Sequence, residues 1–170
     1  MDMQKGNTDM KRKLNVCVLT VSDTRTEEND NSGRLICERV EEAGHEVIAR
    51  IICPDDKNAI LKAVESWIGK KDANAIIITG GTGISYRDVT IETIRPFFTK
   101  ELTGFGELFR YISYAEDVGS KALLSRAAAG AVGEKVLFAL PGSVKAVALA
   151  MDRLVMPELL HIHYELTKHL

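Results

Sequence analysis

The chain has 170 residues and nearly balanced charge, 22 basic against 24 acidic for a net charge of −2. A domain of this size buries roughly 68–70% of its unfolded surface, so its core needs neither metals nor disulfides. No basic stripe or charge block appears, which argues against nucleic acid and membrane surfaces as partners, and no run reaches the ~18 apolar residues of a membrane helix.

Residues 1–13 are polar and carry no hydrophobic leader, so they read as a loose tail before one domain spanning 14–170. The three cysteines, Cys17, Cys37 and Cys53, are far apart and sit in apolar runs. That suits reduced core thiols in a cytoplasmic protein and excludes Cys-x-x-Cys chemistry.

Leu14 to Val21 is a buried strand. It opens into a polar stretch from Ser22 to Ser32, long for a strand-to-helix connection, and such a loop is either a binding loop or solvent-facing slack. Ser32 is placed to cap a helix with apolar positions Ile36, Val40 and Ala43, ended by Gly44. His45 to Cys53 forms the second strand, closed by Pro54-Asp55-Asp56. A helix follows with Ile60, Val64, Trp67 and Ile68 on one face.

Ala75 to Thr79 is the third strand, β-branched throughout its centre and therefore buried on both faces. It runs into Gly80-Gly81-Thr82-Gly83, with Thr90 expected to cap the next helix. A strand, a glycine turn and a helix start make an anion cradle. No Lys follows the last glycine and the third glycine of a dinucleotide fingerprint is missing, which excludes both common nucleotide loops.

Beyond Thr90 the pattern is mostly helical, interrupted at Pro96. Phe105, Phe109 and Tyr111 form an aromatic stripe suited to core or subunit contact. Gly119 to Ser125 is a short helix and Arg126 to Val132 an extended segment. Lys135 to Leu140 is the last strand, and Ser143 caps a closing helix broken near Pro157. The β-α-β-α-β order implies parallel strands in a helix-covered sheet, an α/β fold.

In such a sheet the loops leaving the strand carboxyl ends share one rim, where ligands bind. Here they are Ser22-Asp23-Thr24-Arg25, Pro54-Asp55-Asp56, Gly80 to Asp88, and Pro141-Gly142-Ser143. The rim offers hydroxyls, glycine amides and the basic Arg25, Arg87 and Lys145. With Asp56 and Thr90 assigned to helix caps, Asp55 and Asp88 remain as spare acids. Carboxylates beside a phosphate cradle suit Mg²⁺, which takes one or two carboxylates plus phosphates and waters. The combination points to metal-assisted phosphoryl or nucleotidyl transfer. His161 and His163 do not share a helix face, and no nucleophile elbow is present.

These segments, with Asp30-Asn31-Ser32-Gly33, Arg87-Asp88-Val89-Thr90, Gly104-Phe105-Gly106-Glu107 and Leu124-Ser125-Arg126-Ala127, resemble the MoaB and MogA family of molybdenum cofactor biosynthesis proteins. The Ser-Arg-Ala and Pro-Gly-Ser versions look more like MoaB, and Tyr86 stands where many relatives have proline. The resemblance implies a three-layer α/β/α sandwich with a mostly parallel central sheet, assembled as a homotrimer or a dimer of trimers. It implies molybdopterin as substrate, held by Ser22, Asp23, Gly80, Gly81, Thr82, Gly83, Pro141, Gly142 and Ser143. It further implies Mg²⁺- and ATP-dependent transfer of AMP, with Asp55 and Asp88 as catalytic and metal-binding residues, in company with other enzymes of the pathway. A non-catalytic molybdopterin carrier or scaffold uses the same cradle and remains the alternative.

Overall fold

The structure, a computed structural model, describes residues 12–170. Of the expected tail, residues 1–11 lie outside the described residues. The elements in chain order are β1 (Asn15–Val21), α1 (Asn31–Glu42), β2 (Glu46–Cys53), α2 (Lys57–Ile68), β3 (Ala75–Thr79) and α3 (Thr90–Ile94). There follow β4 (Lys100–Glu101), α4 (Thr103–Ser113), β5 (Ala128–Val132), β6 (Lys135–Leu140), α5 (Val144–Ala150) and α6 (Met156–Thr167).

The strands form one six-stranded sheet in the order β2-β1-β3-β6-β5-β4. The first four run parallel, while β5 and β4 are antiparallel. Side chains alternate across a strand, so each buried strand feeds two cores. Val16, Val18 and Ile77 face one core with Ile36, Phe109, Val147 and Leu159 from α1, α4, α5 and α6. Cys17, Leu19, Ile76 and Ile78 face the other, covered by Ile60, Val64 and Trp67 of α2 and Ile91 and Ile94 of α3. The result is the expected three-layer α/β/α arrangement.

Register fixes the functional rim. Val21 pairs with Cys53, Thr20 with Thr79, and Thr79 with Leu140. The parallel strands therefore end at one level, and their loops leave together.

Two local expectations are corrected. Asp30, not Ser32, caps α1 by accepting from the Gly33 amide. Ser32 instead donates its hydroxyl to the Gly142 carbonyl at 2.7 Å, tying the first loop to the last. Thr90 does not cap α3 either. It lies inside the helix, fully buried, and its hydroxyl donates to the Gly80 carbonyl at 2.9 Å. The mostly helical stretch after Thr90 also holds β4, a two-residue strand against β5. The aromatic stripe divides: Phe105 and Phe109 are core, whereas Tyr111 is 68% exposed. Asp56 and Ser143 do cap their helices. The closing helix breaks at a π-helical turn, Met151–Val155, just before Pro157.

Candidate functional site

Gly80 continues β3 by donating its amide to Leu140 of β6 at 2.9 Å, then turns the chain with φ near 100°. A Cβ on Gly80 would fall 2.1 Å from the Val21 carbonyl oxygen, so only glycine lets β3 leave the sheet this close to β1. Gly81 follows with φ near 68°, and its carbonyl accepts from the Thr90 amide at 3.1 Å. Two bonds from Thr90 thus close the turn. Among the described residues nothing accepts from the amides of Gly81, Thr82 or Gly83, which leaves a row of donors suited to an anion.

The turn forms the floor of a cavity of about 530 Å³. Its walls come from all four rim loops: Ser22, Thr24 and Arg25 after β1, Asp55 after β2, Asp88 after β3, and Pro141 and Gly142 after β6. Leu124 and Ser125 complete it from the segment before β5. Of the residues expected from the sequence, Asp23 and Ser143 stand beside the cavity rather than in its wall. Ser143 is committed as a cap, accepting from Ala146 N–H at 3.2 Å.

Asp23 is the hub of the rim. Its carboxylate accepts three bonds from Arg87, at 2.8–3.0 Å, and one from the Asp55 amide at 3.0 Å. Those bonds hold its carboxyl below the usual range, with the Arg87 guanidinium the main cause. In return the Asp55 carboxylate accepts from the Asp23 amide at 3.0 Å. Of the three basic rim residues, Arg87 is thereby used, and Lys145 pairs with Asp117 at 2.8 Å. Arg25 lines the cavity.

Asp55 and Asp88 do meet on this mouth. A Cβ on Gly81 would come 3.3 Å from Asp55 Oδ1, and one on Gly83 would come 2.8 Å from Asp88 Oδ2. The two carboxylates therefore lean over glycines two residues apart. Neither caps a helix, as expected, but neither is idle: Asp88 accepts from the Ser85 amide at 2.8 Å and the Ser85 hydroxyl at 2.7 Å. Burial raises the Asp55 carboxyl above its usual range, and the nearby charges of Asp23 and Asp88 push the same way, against the Asp23 amide bond and the Arg87 charge. Crowded carboxylates of this kind favour a bound cation.

A family profile described as "Probable molybdopterin binding domain" matches residues 17–161. The chain belongs to the MoaB and MogA family of molybdenum cofactor biosynthesis proteins. It is 53% identical to molybdenum cofactor biosynthesis protein B of Staphylococcus carnosus (strain TM300), over 95% of this chain and 96% of that one. A crystal structure of a molybdenum cofactor biosynthesis protein B superposes with a TM-score of 0.89 at 51% identity, covering 92% of this chain and 98% of that one. The tungsten cofactor synthesizing protein MoaB from Pyrococcus furiosus gives 0.83 at 42% identity, covering 91% and 98%. No helix among the described residues is long and apolar enough to cross a membrane.

For this MoaB-like chain the donor set suits one kind of metal binding. Among the described residues no group of three or more His, Cys, Asp or Glu could hold an ion by itself. Two carboxylates beside a row of amide donors fit Mg²⁺, which completes its shell with substrate phosphates and waters.

Sequence reasoning missed two features. Asp30 lines the cavity although only 1% exposed, accepting from Thr20 Oγ1 at 2.7 Å, Arg50 Nη2 at 2.9 Å and the Gly33 amide at 2.9 Å. Burial pushes its carboxyl up, but these bonds outweigh it and hold the carboxyl below the usual range. The second feature is Arg126, which reaches under the glycine turn from before β5. Its motif was visible, but its target was not. No cysteine is activated as a thiolate: burial pushes Cys17 and Cys53 up to about 11 and raises Cys37 as well.

Proposed function

We propose that the chain is a molybdopterin adenylyltransferase, moving AMP from Mg-ATP to molybdopterin and so preparing it for molybdate insertion. Support comes from family membership and one observation, the convergence of Asp55 and Asp88 over the Gly81-Thr82-Gly83 amides. Ser22, Gly80, Gly81, Thr82, Gly83, Pro141 and Gly142 would hold the pterin and its phosphate, and Asp23 and Ser143 would fix their loops. In the reaction a phosphate oxygen of molybdopterin bonds to the α-phosphorus of ATP, and the bond to pyrophosphate breaks. Mg²⁺, when bound, would neutralise phosphate charge. Asp55 and Asp88 would hold it, and the glycine amides would orient the attacking phosphate.

The exposed side chains of Leu108, Tyr111 and Tyr114 on and after α4 support self-association, as a trimer or paired trimers. A non-catalytic carrier is the second reading, favoured by the local commitment of Asp88 to Ser85.

The test is the Asp88→Asn variant incubated with molybdopterin and Mg-ATP. It is expected to bind molybdopterin without forming the adenylylated product. Turnover at the parent rate would remove Asp88 from the chemistry. A parent protein that binds molybdopterin and leaves ATP intact would select the carrier.

A further inference from the structure

We infer that Arg126 is a positioning residue, the clamp that holds the Gly83–Asp88 loop and so sets where the Asp88 carboxylate stands over the cradle. This rests on the adenylyl-transfer reading only for its kinetic consequence.

The geometry is specific. Arg126 Nε donates to the Gly83 carbonyl at 2.7 Å and Nη2 to the Asp88 carbonyl at 3.2 Å. Both ends of the loop therefore end on one guanidinium. Nη1 and Nη2 each also donate to the Glu92 carboxylate in the first turn of α3, and the bond from Arg126 holds the Glu92 carboxyl below its usual range. The Arg126 amide adds a fourth tie, to the Thr82 carbonyl at 3.0 Å. Within the loop, Asp88 bonds back to Ser85. The loop is thus a small rigid body, and beyond the backbone bond at Thr82 its attachment to the segment before β5 runs through the Arg126 side chain.

A planar fork with five N–H donors can serve two carbonyls and a carboxylate at once. A lysine ammonium keeps the charge and loses that geometry. Misplacing a catalytic group by an ångström costs about 100-fold in rate. The guanidinium also borders a second cavity of about 400 Å³, beside Arg95, Glu101 and Arg110, which gives a small cation access to its place.

Arg126→Lys and Arg126→Ala test the inference by two readouts. The first is amide hydrogen exchange over residues 83–88 in the protein alone, expected to rise in both variants. The second is steady-state AMP transfer, expected to show kcat about 100-fold lower with KM for molybdopterin little changed. Added guanidinium is expected to slow the exchange and restore part of kcat in Arg126→Ala. Parent-like exchange and kcat in both variants, or an alanine variant indifferent to guanidinium, would overturn the assignment. Should Arg126→Ala not fold, Arg126→Lys carries both readouts. A parent protein without AMP transfer would fail the functional reading alone, and the exchange comparison would still decide Arg126.

Discussion

Asp23 and Asp55 exchange backbone amides: each carboxylate accepts the other residue's N–H at 3.0 Å. The reciprocal pair fastens the loop after β1 to the loop after β2, and Arg87 extends the fastening to the loop after β3. It also places two carboxylates side by side, and the Asp55 carboxyl is raised first by its burial and then by the Asp23 charge. A carboxyl whose folded pKa is raised favours folding below its unfolded pKa and loses that contribution as pH rises through the folded value. Asp55→Asn is therefore expected to melt at or above the parent temperature at pH 7. The difference should shrink as pH falls towards about 4. Thermal melts between pH 4 and 8 measure it, and a variant that melts lower only at neutral pH would contradict the account.

Asp30 has the opposite sign. Its folded pKa is lowered, so its contribution is present above the unfolded value and is lost as pH falls through the folded one. Asp30→Ala leaves Arg50 without its carboxylate and removes the cap of α1, an expected loss of about 3 kcal/mol. Asp30→Asn should flatten the decline of stability below about pH 4. Urea titrations at pH 7 and pH 4 would show both effects.

Two glycines of α4 separate helix propensity from packing. A Cβ on Gly104 meets nothing within 4 Å, whereas one on Gly106 would fall 2.7 Å from the Ala127 carbonyl oxygen and 2.7 Å from Arg110 Nη2. Gly104→Ala is expected to gain about 0.5 kcal/mol. Gly106→Ala should lose about 1–3 kcal/mol by forcing α4 away from β5. Equal effects in denaturant titrations would count against this packing.

Self-association through α4 predicts that Tyr111→Glu combined with Leu108→Glu sediments as an 18.7 kDa monomer, with the parent at a multiple of that mass. Buried charge at a contact between copies is costly unless paired. A parent that already sediments as a monomer would remove the proposed contact.

The sequence carried the fold well where a pattern repeats over several residues. β3 and β6 read correctly because their apolar runs end at glycine and proline signals, and α2 because Ile60, Val64 and Trp67 recur on one face. The antiparallel edge was harder. β4 is Lys100–Glu101, two exposed charged residues that become a strand only through pairing with β5. Ser32 and Thr90 do not cap because tertiary partners take their hydroxyls: Gly142 accepts that of Ser32, with Asp30 capping α1, and Gly80 accepts that of Thr90, with no side-chain cap on α3. The glycine turn was legible because it follows β3 directly, and the shared rim brings Asp55 and Asp88 to the same cavity although Asp88 lies well beyond the end of β3. Arg126 acts across a long sequence separation, on carbonyls that carry no side-chain signal.

The strand order has a consequence for how the molecule assembles. β6, made late, inserts between β3 and β5 and supplies the carbonyl that anchors Gly80. Until it emerges from the ribosome, β3 offers an open apolar edge, the kind of surface on which nascent chains aggregate or recruit chaperones. Maturation of the binding floor is therefore a late event in biosynthesis, and truncations ending before Lys135 should leave an aggregation-prone half-sheet.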